Sequence, residues 1–441
     1  MSRLHRWWLD LNSSLWFVPT LMVAAAMLLA YGLVEYDNTF ANDWTKQHPL
    51  LFGAGADGAR GMLSAIAGSM ITVAGLIFSL TLSTLAQVSS QYTSRLLRNF
   101  MRDRTNQVVM GFFVSIFVYC LMVLRTIRGG DEGAFVPSIA VTFALLLALV
   151  SIGMLIMFIH HIASSIQAAN LIARAADETQ ALLDKLFPKQ IGHAASHAEK
   201  GDLAAIQHLN WVPVVATQSG YIVGIDDDKL LELASDGNLV IRMVQAVGSF
   251  AAQGAPIVQV ASYDVGRPWL PDSNLTKRIA EAYGIDNQRS LDQDFGFGLR
   301  QLVDIALKAL SPGINDTSTG AMCLDRLGVL LALLTQRDLG EPQRAFEGRV
   351  RLLAQRPEFA DYLCTAFDQI RASSLENLAI YLRTYSALLT IAQRTQLPDY
   401  REALAQQGEL GWAAAQKNLA DDYELKQVRD RYEELRRALG H

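Results

Sequence analysis

A row of small and polar residues runs through an otherwise apolar segment of the chain. Its members follow one another by three or four residues, and the mean step of about 3.75 residues is close to the 3.6-residue turn of an α-helix. They are Ser64, Gly68, Thr72, Gly75, Ser79, Ser83, Gln87, Ser90 and Ser94. Hydroxyl and amide groups on one continuous face offer a hydrated ion the weak hydrogen-bonding sites that conduction requires.

The same row has a second interpretation, as a packing surface. Small residues spaced by four positions let membrane helices approach closely, and Gly68 and Gly75 fit that role. Gln87 is not small, and a helix over 61–95 would be about 52 Å long, against a hydrocarbon core of roughly 30 Å. The row therefore extends beyond the membrane. If it lines a pore, the lining residues are Thr72, Ser79, Ser83, Gln87, Ser90 and Ser94, with Gln87 as the narrow polar ring.

Charged and titratable residues lie at the predicted cytoplasmic ends of this segment and of the fourth apolar segment. Arg95 and Arg98 follow the row, and rings of them at a cytoplasmic mouth would favour anions. The alternative is that they only follow the rule that cytoplasmic loops are rich in arginine and lysine. His160 and His161 end the fourth apolar segment, either as interfacial anchors or as a gate that responds to pH, because histidine titrates near neutral pH.

A turn in the second half of the chain is another candidate site. In ALKALSPGINDTSTG, Pro312 and Gly313 end one helix, and Asn315 or Asp316 can cap the next. The alternative is a ligand site, since a helix N-terminus presents free N–H groups to an anion, and Asn315 and Asp316 could also hold a cation. The sequence leaves the choice open.

Known catalytic motifs do not explain the chain. GAGADG at 53–58 fits the pattern G-x-G-x-x-G but has no strand before it, so we interpret it as a chance match. The sequence has no phosphate-binding loop, no HExxH zinc motif and no nucleophile elbow. We expect no catalytic residues, no metal site and no cofactor. A membrane-bound hydrolase would need a concave pocket with shifted titratable groups, and Asp304, Asn315 and Asp316 are where we would look for it.

Four apolar stretches are predicted to cross a membrane, at about 15–34, 61–85, 108–124 and 136–162. No stretch after residue 165 is predicted to be long and apolar enough for a fifth.

The composition of the chain is intermediate between those of soluble and membrane proteins. Of the 441 residues, 51% are hydrophobic and 18% are charged, which indicates a membrane part joined to a soluble part. The net charge of −5 argues against a nucleic-acid partner. The three cysteines lack metal-type spacing, and we expect them to be reduced.

The orientation follows from the basic residues of the short loops. Basic residues concentrate in the N-terminal tail and between spans two and three, whereas acidic residues concentrate between spans one and two. We therefore predict that both termini are cytoplasmic, with a transmembrane domain at 1–165 and everything after it in the cytosol.

The cytosolic half is predicted to be an α+β region. Residues 166–210 form a helical linker, and 211–265 contain short β-type runs that resemble a biotinyl/lipoyl-type half-barrel, with Gly248 and Gly254 setting a tight turn. No lysine lies in that hairpin, so it cannot carry a covalent cofactor. From residue 275 the pattern is predicted to be helical to the end, including 344–353, and we assign a helical domain to 270–441.

Three stretches carry a resemblance that covers nearly the whole chain. FSLTLSTLAQVSSQYTSRLL, FIHHIASSIQ and FGLRQLVDIALKALSPGIND, in this order, resemble the bacterial membrane-protein family called domain of unknown function 2254. The resemblance implies four spans and a cytosolic C-terminal region in the bacterial inner membrane, and it brings no activity. Proline often follows the Asn-Asp pair in the family, whereas this chain has Thr317.

The leading hypothesis is a homo-oligomeric inner-membrane ion channel or passive transport protein, with span two lining the pore and a cytosolic domain for assembly or sensing. Its partners would be membrane lipid, further copies of the chain and small ions. The alternatives are a membrane-anchored scaffold or sensor that does not conduct, and a membrane-bound hydrolase. A stripe that faces a subunit axis and is wet indicates a channel, whereas a dry stripe buried against spans three and four indicates a scaffold.

Overall fold

The computed structural model describes residues 16–40, 55–91, 103–129, 135–165, 167–187, 193–194, 206, 208–264, 269–337, 339, 342–346 and 348–440. The chain divides into two compact units, Met1–Asn170 (unit 1) and Leu171–His441 (unit 2).

Unit 1 is built from long apolar helices. They are α1 (Phe17–Phe40), α2 (Ala56–Gln91), α3 (Arg104–Thr126) and α4 (Ser138–Ser165). Helix α3 packs against the other three, and a Cβ at Gly111 would lie 2.8 Å from Met22 Sδ and 2.9 Å from Pro19 Cα. Glycine is therefore what lets α1 approach α3 this closely. The core of the unit includes Leu63, Ile77, Phe113, Ile116, Tyr119 and Phe158, all at most 2% exposed.

Polar contacts join three helices at one end of unit 1. Asp37 near the end of α1 is 7% exposed, and its carboxylate accepts the N–H groups of Ile139 and Ala140, both at 3.0 Å, in the first turn of α4. An acidic side chain there satisfies free N–H groups and complements the helix dipole. The Tyr119 hydroxyl donates to the Ala140 carbonyl at 2.9 Å, so α1, α3 and α4 meet at one point.

The first helix of unit 2 is α5 (Ala168–Leu186), whose first three residues belong to unit 1. Unit 2 also has two small sheets, whose strands are numbered in chain order and are given below. The larger sheet has the order β1-β8-β9-β4-β6-β2 and is antiparallel except for the parallel β4–β9 pair. The smaller sheet has the antiparallel order β5-β3-β7. The strands are β1 (His193–Ala194), β2 (Val212–Val215), β3 (Gly220–Ile225), β4 (Leu239–Met243), β5 (Phe250–Ala251), β6 (Pro256–Ser262), β7 (Tyr283–Asp286), β8 (Gln343–Phe346) and β9 (Arg349–Leu353).

Helices cover the sheets and form most of the remainder of unit 2. They are α6 (Asp227–Asp236), α7 (Ser273–Ala280), α8 (Phe295–Ala309), α9 (Thr317–Leu334), α10 (Phe359–Ser373), α11 (Leu378–Ala392), α12 (Pro398–Asn418) and α13 (Asp422–Leu439). Helices α8, α9, α10 and α11 pack on one another, and α12 and α13 pack against α11.

The predicted strands of 211–265 are present, but they belong to both sheets, and the larger sheet also takes β1, β8 and β9 from outside that range. Gly248 and Gly254 have φ values of 88° and 81°, a conformation that favours glycine. Gly254 lies in the turn between β5 and β6, where the sequence predicted a tight turn.

One helix prediction was wrong. Residues 344–353, predicted as helix, form the β8–β9 hairpin, and Tyr283–Asp286 is a strand, so the region after residue 275 is not helical throughout. Apolar spacing over ten residues fits a helix or a strand equally well. Gly348, with φ of 75°, supplies the turn, and pairing of β9 with β4, more than 100 residues earlier, decides the structure.

Five helices among the described residues are long and apolar enough to cross a membrane. Four are in unit 1, and the fifth, Thr317–Leu334, contradicts the prediction that no stretch after residue 165 qualifies. Its most apolar window is 56% buried inside the protein, against 22% for α4. Apolarity therefore does not by itself confirm a count of four spans.

Gly298 yields a stability prediction. A Cβ on Gly298 would clash with Thr179 Oγ1 and lie 2.5 Å from Thr179 Cγ2, where α5 meets α8. Gly298→Ala should lower the free energy of unfolding by about 1–3 kcal/mol through overpacking. Urea unfolding of the purified full chain, followed by tryptophan fluorescence, measures the change.

Thr179→Ala in the same chain should restore part of the loss, because the two side chains compete for one space. The control is Gly313→Ala, whose Cβ would meet nothing within 4 Å. Equal stability of Gly298→Ala and Gly313→Ala would contradict the prediction.

Candidate functional site

Helix α2 has a buried face that packs against α3. The residues on it recur at helical spacing and are at most 9% exposed: Ala59, Leu63, Ile66, Ala67, Met70, Ala74 and Ile77. At about 100° per residue, this face is opposite the row of small and polar residues. The packing of α2 on α3 therefore determines which way that row points.

The row, which we call the polar stripe, is exposed along its described length. The residues Ser64, Thr72, Ser79, Ser83 and Gln87 are all exposed in the structure. A Cβ on Gly68 or Gly75 would meet nothing within 4 Å. Among the residues the structure describes, no helix of unit 1 covers the stripe.

The hydroxyls of α2 donate to the helix's own backbone. Thr72 Oγ1 donates to the Gly68 carbonyl and Thr81 Oγ1 to the Ile77 carbonyl, both at 2.8 Å. A hydroxyl has one donor and two acceptor lone pairs. The oxygen of Thr72, on the stripe, can therefore still accept a hydrogen bond from outside the helix.

Large apolar side chains flank the stripe on both sides. At about 100° per residue, Ile71, Phe78 and Leu82 lie along one edge and Leu76 and Leu80 along the other, and all five are exposed. The outward surface of α2 is therefore a polar groove between two apolar ridges. This arrangement differs from that of a helix that faces lipid with its whole outer surface.

The inner part of the predicted path lies outside the described side chains. Ser90 lies within α2, but its side chain is not among those the structure describes. Ser94, Arg95 and Arg98 lie outside the described residues. The cytoplasmic mouth stays a prediction.

The two candidate gate histidines differ in their surroundings. His160 is exposed, whereas His161 Nε2 lies 2.9 Å from Asp103 Oδ2. Asp103 is also the N-cap of α3, and its Oδ1 accepts the Thr105 N–H at 2.9 Å. His161 therefore ties the end of α4 to the start of α3.

The candidate turn at 311–316 is closed by its own backbone. Asn315 N–H donates to the Ser311 carbonyl at 2.9 Å, and Asp316 N–H donates to the Ala309 carbonyl at 2.8 Å. Asp316 is the N-cap of α9 and accepts the Thr319 N–H at 3.0 Å and hydroxyl at 2.6 Å. These hydrogen bonds hold the pKa of the Asp316 carboxyl below its usual value. A structural role accounts for Asp316, and ligand binding at the turn stays a prediction.

A concave pocket does exist in unit 2, at a different place. It has a volume of about 610 Å³ and lies between the β4–β5 loop, the segment from Arg289 into α8, and the segment from Gln355 into α10. Arg289, Arg300 and Arg356 contribute its guanidinium groups. Asp304, one of the residues singled out for an enzyme pocket, pairs with Arg300 at 2.8 Å, whereas Asn315 and Asp316 do not line the pocket.

Sequence reasoning missed these arginines and Asp37. The arginines are separated by up to 67 positions in the chain and follow no motif, and Asp37 meets its partners about 100 residues later. A local signal existed only at Gly248, which the sequence did assign to a turn. A Cβ there would lie 2.5 Å from Asp294 Oδ2 and 2.8 Å from Arg289 Nη2, beside the pocket.

Comparisons with known proteins agree with the helices of unit 1. A family model described as "Predicted membrane protein (DUF2254)" matches residues 12–390. The uncharacterized protein Rv1290c of Mycobacterium tuberculosis is 33% identical over 420 residues, which is 95% of this chain and 79% of that protein. The uncharacterized protein Mb1321c of Mycobacterium bovis shows the same identity and coverage. No solved structure matches the chain.

Asp316 yields a test of its structural role. Asp316→Ala should lower the free energy of unfolding by about 1 kcal/mol, and Asp316→Asn by less, because asparagine is also a good N-cap. The contribution should be present above the unfolded-state pKa of about 3.9 and be lost as the pH falls through the lower folded-state pKa. Urea unfolding at pH 7 and at pH 3 measures both effects. Equal stability of Asp316→Ala and the wild type at pH 7 would contradict the role as a cap.

Proposed function

Since the chain belongs to the DUF2254 family of predicted membrane proteins, we propose that it is a homo-oligomeric ion channel or passive transport protein of the bacterial inner membrane. Helix α2 lines the path, and unit 2 serves assembly or sensing. The observation that carries the proposal is the exposed polar stripe of α2, opposite the face that packs on α3.

The solvent around α2 limits what the stripe can face. Polar groups in hydrocarbon are costly unless they find partners, so a polar groove in a membrane is expected to face protein or water. Four helices cannot enclose a pore by themselves. In a closed symmetric ring, the apolar ridges beside the stripe would contact lipid or neighbouring subunits, and the stripes would share the central axis.

The proposed topology has four spans, α1–α4, with both termini in the cytoplasm. Basic residues in the loop between spans two and three support this orientation. Helix α9 is apolar enough to span, but it packs against α8 and α11 of unit 2, and its ten buried residues include Cys323, Leu327 and Leu331. The role of a core helix explains its composition, so we place it in the cytosol with the rest of unit 2.

The path would run along Thr72, Ser79, Ser83 and Gln87 and continue past Ser90 and Ser94 to a mouth at Arg95 and Arg98. Uncharged acceptors offer hydrated ions many weak sites, and conduction needs sites that release what they bind. Gln87 has the largest side chain on the described stripe and is the proposed constriction. His161, through Asp103, would couple the inner ends of α3 and α4.

Cysteine accessibility tests whether water reaches the stripe. In a Cys364→Ser background, Ser79→Cys and Ser83→Cys should react with a membrane-impermeant thiol reagent more than about tenfold faster than control cysteines, because the reactive thiolate forms only where water enters. The controls are Ile77→Cys, on the face packed against α3 and 1% exposed, and Leu80→Cys on an apolar ridge. Rates at Ser79→Cys and Ser83→Cys no faster than at these controls would favour a scaffold in which the stripe is buried between subunits.

Single-channel recording tests conduction directly. Purified protein in planar bilayers should show unitary currents, reduced in Gln87→Leu because an apolar ring dewets, and shifted toward cations in Gln87→Glu because a ring of carboxylates attracts them. Gln336→Leu makes the same change at an exposed position in unit 2 and should leave the current unchanged. Silence of folded, oligomeric protein across voltage, pH and membrane tension would contradict the proposal.

A further inference from the structure

The pocket of unit 2 has the size of a small-molecule site and a mostly polar lining. Its volume of about 610 Å³ lies within the range of roughly 300–1,000 Å³ that such sites occupy. One wall is the exposed face of α10, and the others come from loops separated in the chain by tens of residues. The pocket lies entirely within unit 2, so ligand binding there does not depend on conduction by α2.

Three arginines in the lining are held in place by aspartates. Arg289 donates from Nε and Nη2 to Asp294 Oδ2 at 2.9 and 2.7 Å. Arg300 Nε lies 2.8 Å from Asp304 Oδ1, and Arg356 Nη2 lies 3.5 Å from Asp227 Oδ2. A guanidinium has five N–H donors, so each pair orients its arginine and uses only part of its donor capacity.

The carboxylates of the lining are already engaged by protein donors. Asp294 accepts the Phe297 N–H at 2.8 Å as well as Arg289. Asp361 accepts the Glu358 N–H at 2.8 Å, and Asp368 accepts from Arg371 and Gln407, both at 3.1 Å. Among the charged groups of the lining, the hydrogen-bonding capacity that is left is therefore that of donors on arginine, which match the oxygens of phosphate and carboxylate groups.

The backbone beside the arginines is shaped to keep this arrangement. Gly248 has φ of 88°, and a Cβ there would fall 2.5 Å from Asp294 Oδ2 and 2.8 Å from Arg289 Nη2. Only glycine lets the β4–β5 loop approach the ion pair this closely. The loop thus covers one side of the pair and leaves the other toward the pocket.

We propose that this pocket binds a small organic anion through phosphate or carboxylate oxygens held by Arg289, Arg300 and Arg356. A phosphate ester and a polycarboxylate share this chemistry, and probes of each class distinguish them. The bound anion would be a cytosolic ligand of unit 2.

Cys364 provides a reporter inside the pocket. It lines the pocket and is exposed, whereas Cys120 and Cys323 are buried. Partial desolvation by the pocket and the nearby Asp368 carboxylate raise the pKa of the Cys364 thiol. Its alkylation is therefore slow enough to follow by mass spectrometry of the labelled peptide. The experiment uses the full chain in detergent, with N-ethylmaleimide as the reagent.

The probes are pyrophosphate, adenosine monophosphate and citrate, with sodium chloride at matched ionic strength as the control. At least one probe should slow alkylation of Cys364 saturably below about 10 mM, which even a Kd near 1 mM allows. Protection by pyrophosphate or the nucleotide would identify phosphate as the ligand group, and protection by citrate alone would identify carboxylate. No saturable protection by any probe would overturn the proposal.

Arginine variants test whether the anion sits where proposed. Arg300→Gln and Arg356→Gln should each weaken protection about tenfold or more, the effect of losing a hydrogen bond to a charged group, and Arg300→Lys should retain part of it. The matched control is Arg383→Gln, which breaks an Arg–Asp pair with Asp325 elsewhere in unit 2. Unfolding curves establish that each variant is folded. Protection unchanged in both pocket variants would overturn the assignment.

Asp227 provides a pH signature. Burial raises its pKa to about 6, and it is faced by Arg356, Arg344 and Tyr283 from other elements and by Asp226 and Asp228 from its own segment. Protonation removes a negative charge beside Arg356, so protection in the wild type relative to Asp227→Asn should strengthen severalfold between about pH 8 and pH 6. The ratio of rates with and without anion cancels the ionisation of the thiol, and the comparison with Asp227→Asn cancels that of the probe, whose phosphate groups also titrate at about pH 6. The same pH dependence in Asp227→Asn and in the wild type would place the anion away from Arg356.

Discussion

Unit 1 depends on the fact that α2 has an apolar face and, opposite it, a polar face that is costly to expose to lipid. Its apolar face is satisfied by α3, where residues such as Ala67, Ala74 and Ile77 pack closely. The opposite face carries hydroxyls and an amide. Thr72 lowers the cost of its own exposure by donating to the Gly68 carbonyl, and the amide of Gln87 adds further polarity to the same face. Because α3 fixes the rotation of α2, none of the helices described in unit 1 meets the polar face, and the proposed channel gives that face subunits or water to meet.

Helix α4 shows how the bundle fixes its register with few polar contacts. Much of its surface is exposed and apolar, as Leu149, Ile152 and Ile156 illustrate, and apolar contacts in lipid specify position weakly. Its start is held by Asp37 of α1 and its end by Asp103 at the start of α3, through His161. Two carboxylates thus help to set the position of one 28-residue helix along the bundle, because hydrogen bonds depend on direction and apolar contacts do not.

The sequence predicted features whose causes are local. Long apolar runs predicted α1–α4, and short β-branched runs predicted β2, β3, β4 and β6. Cap chemistry predicted Asn315 or Asp316 as an N-cap, and the structure has Asp316. Sequence-based prediction failed where contacts between residues far apart in the chain determine the structure. The β8–β9 hairpin exists because β9 pairs with β4, and Thr317–Leu334 is apolar although it is a core helix of unit 2. The pocket arginines are brought together by packing of α8 on α10, which no spacing within either helix encodes.

In the proposed channel, the two units divide the chemistry between a path and a ligand pocket. The described stripe of α2 is uncharged, and weak neutral sites let an ion pass without being held. Unit 2 places three arginine–aspartate pairs around one pocket, where charge-assisted contacts would be strong enough to retain the proposed ligand. Strong sites in the path would trap the ion, and weak sites in the pocket would not bind the ligand. In this proposal, separating the two kinds of site in the chain lets each be set independently, and a bound anion acts on the assembly without competing for the path.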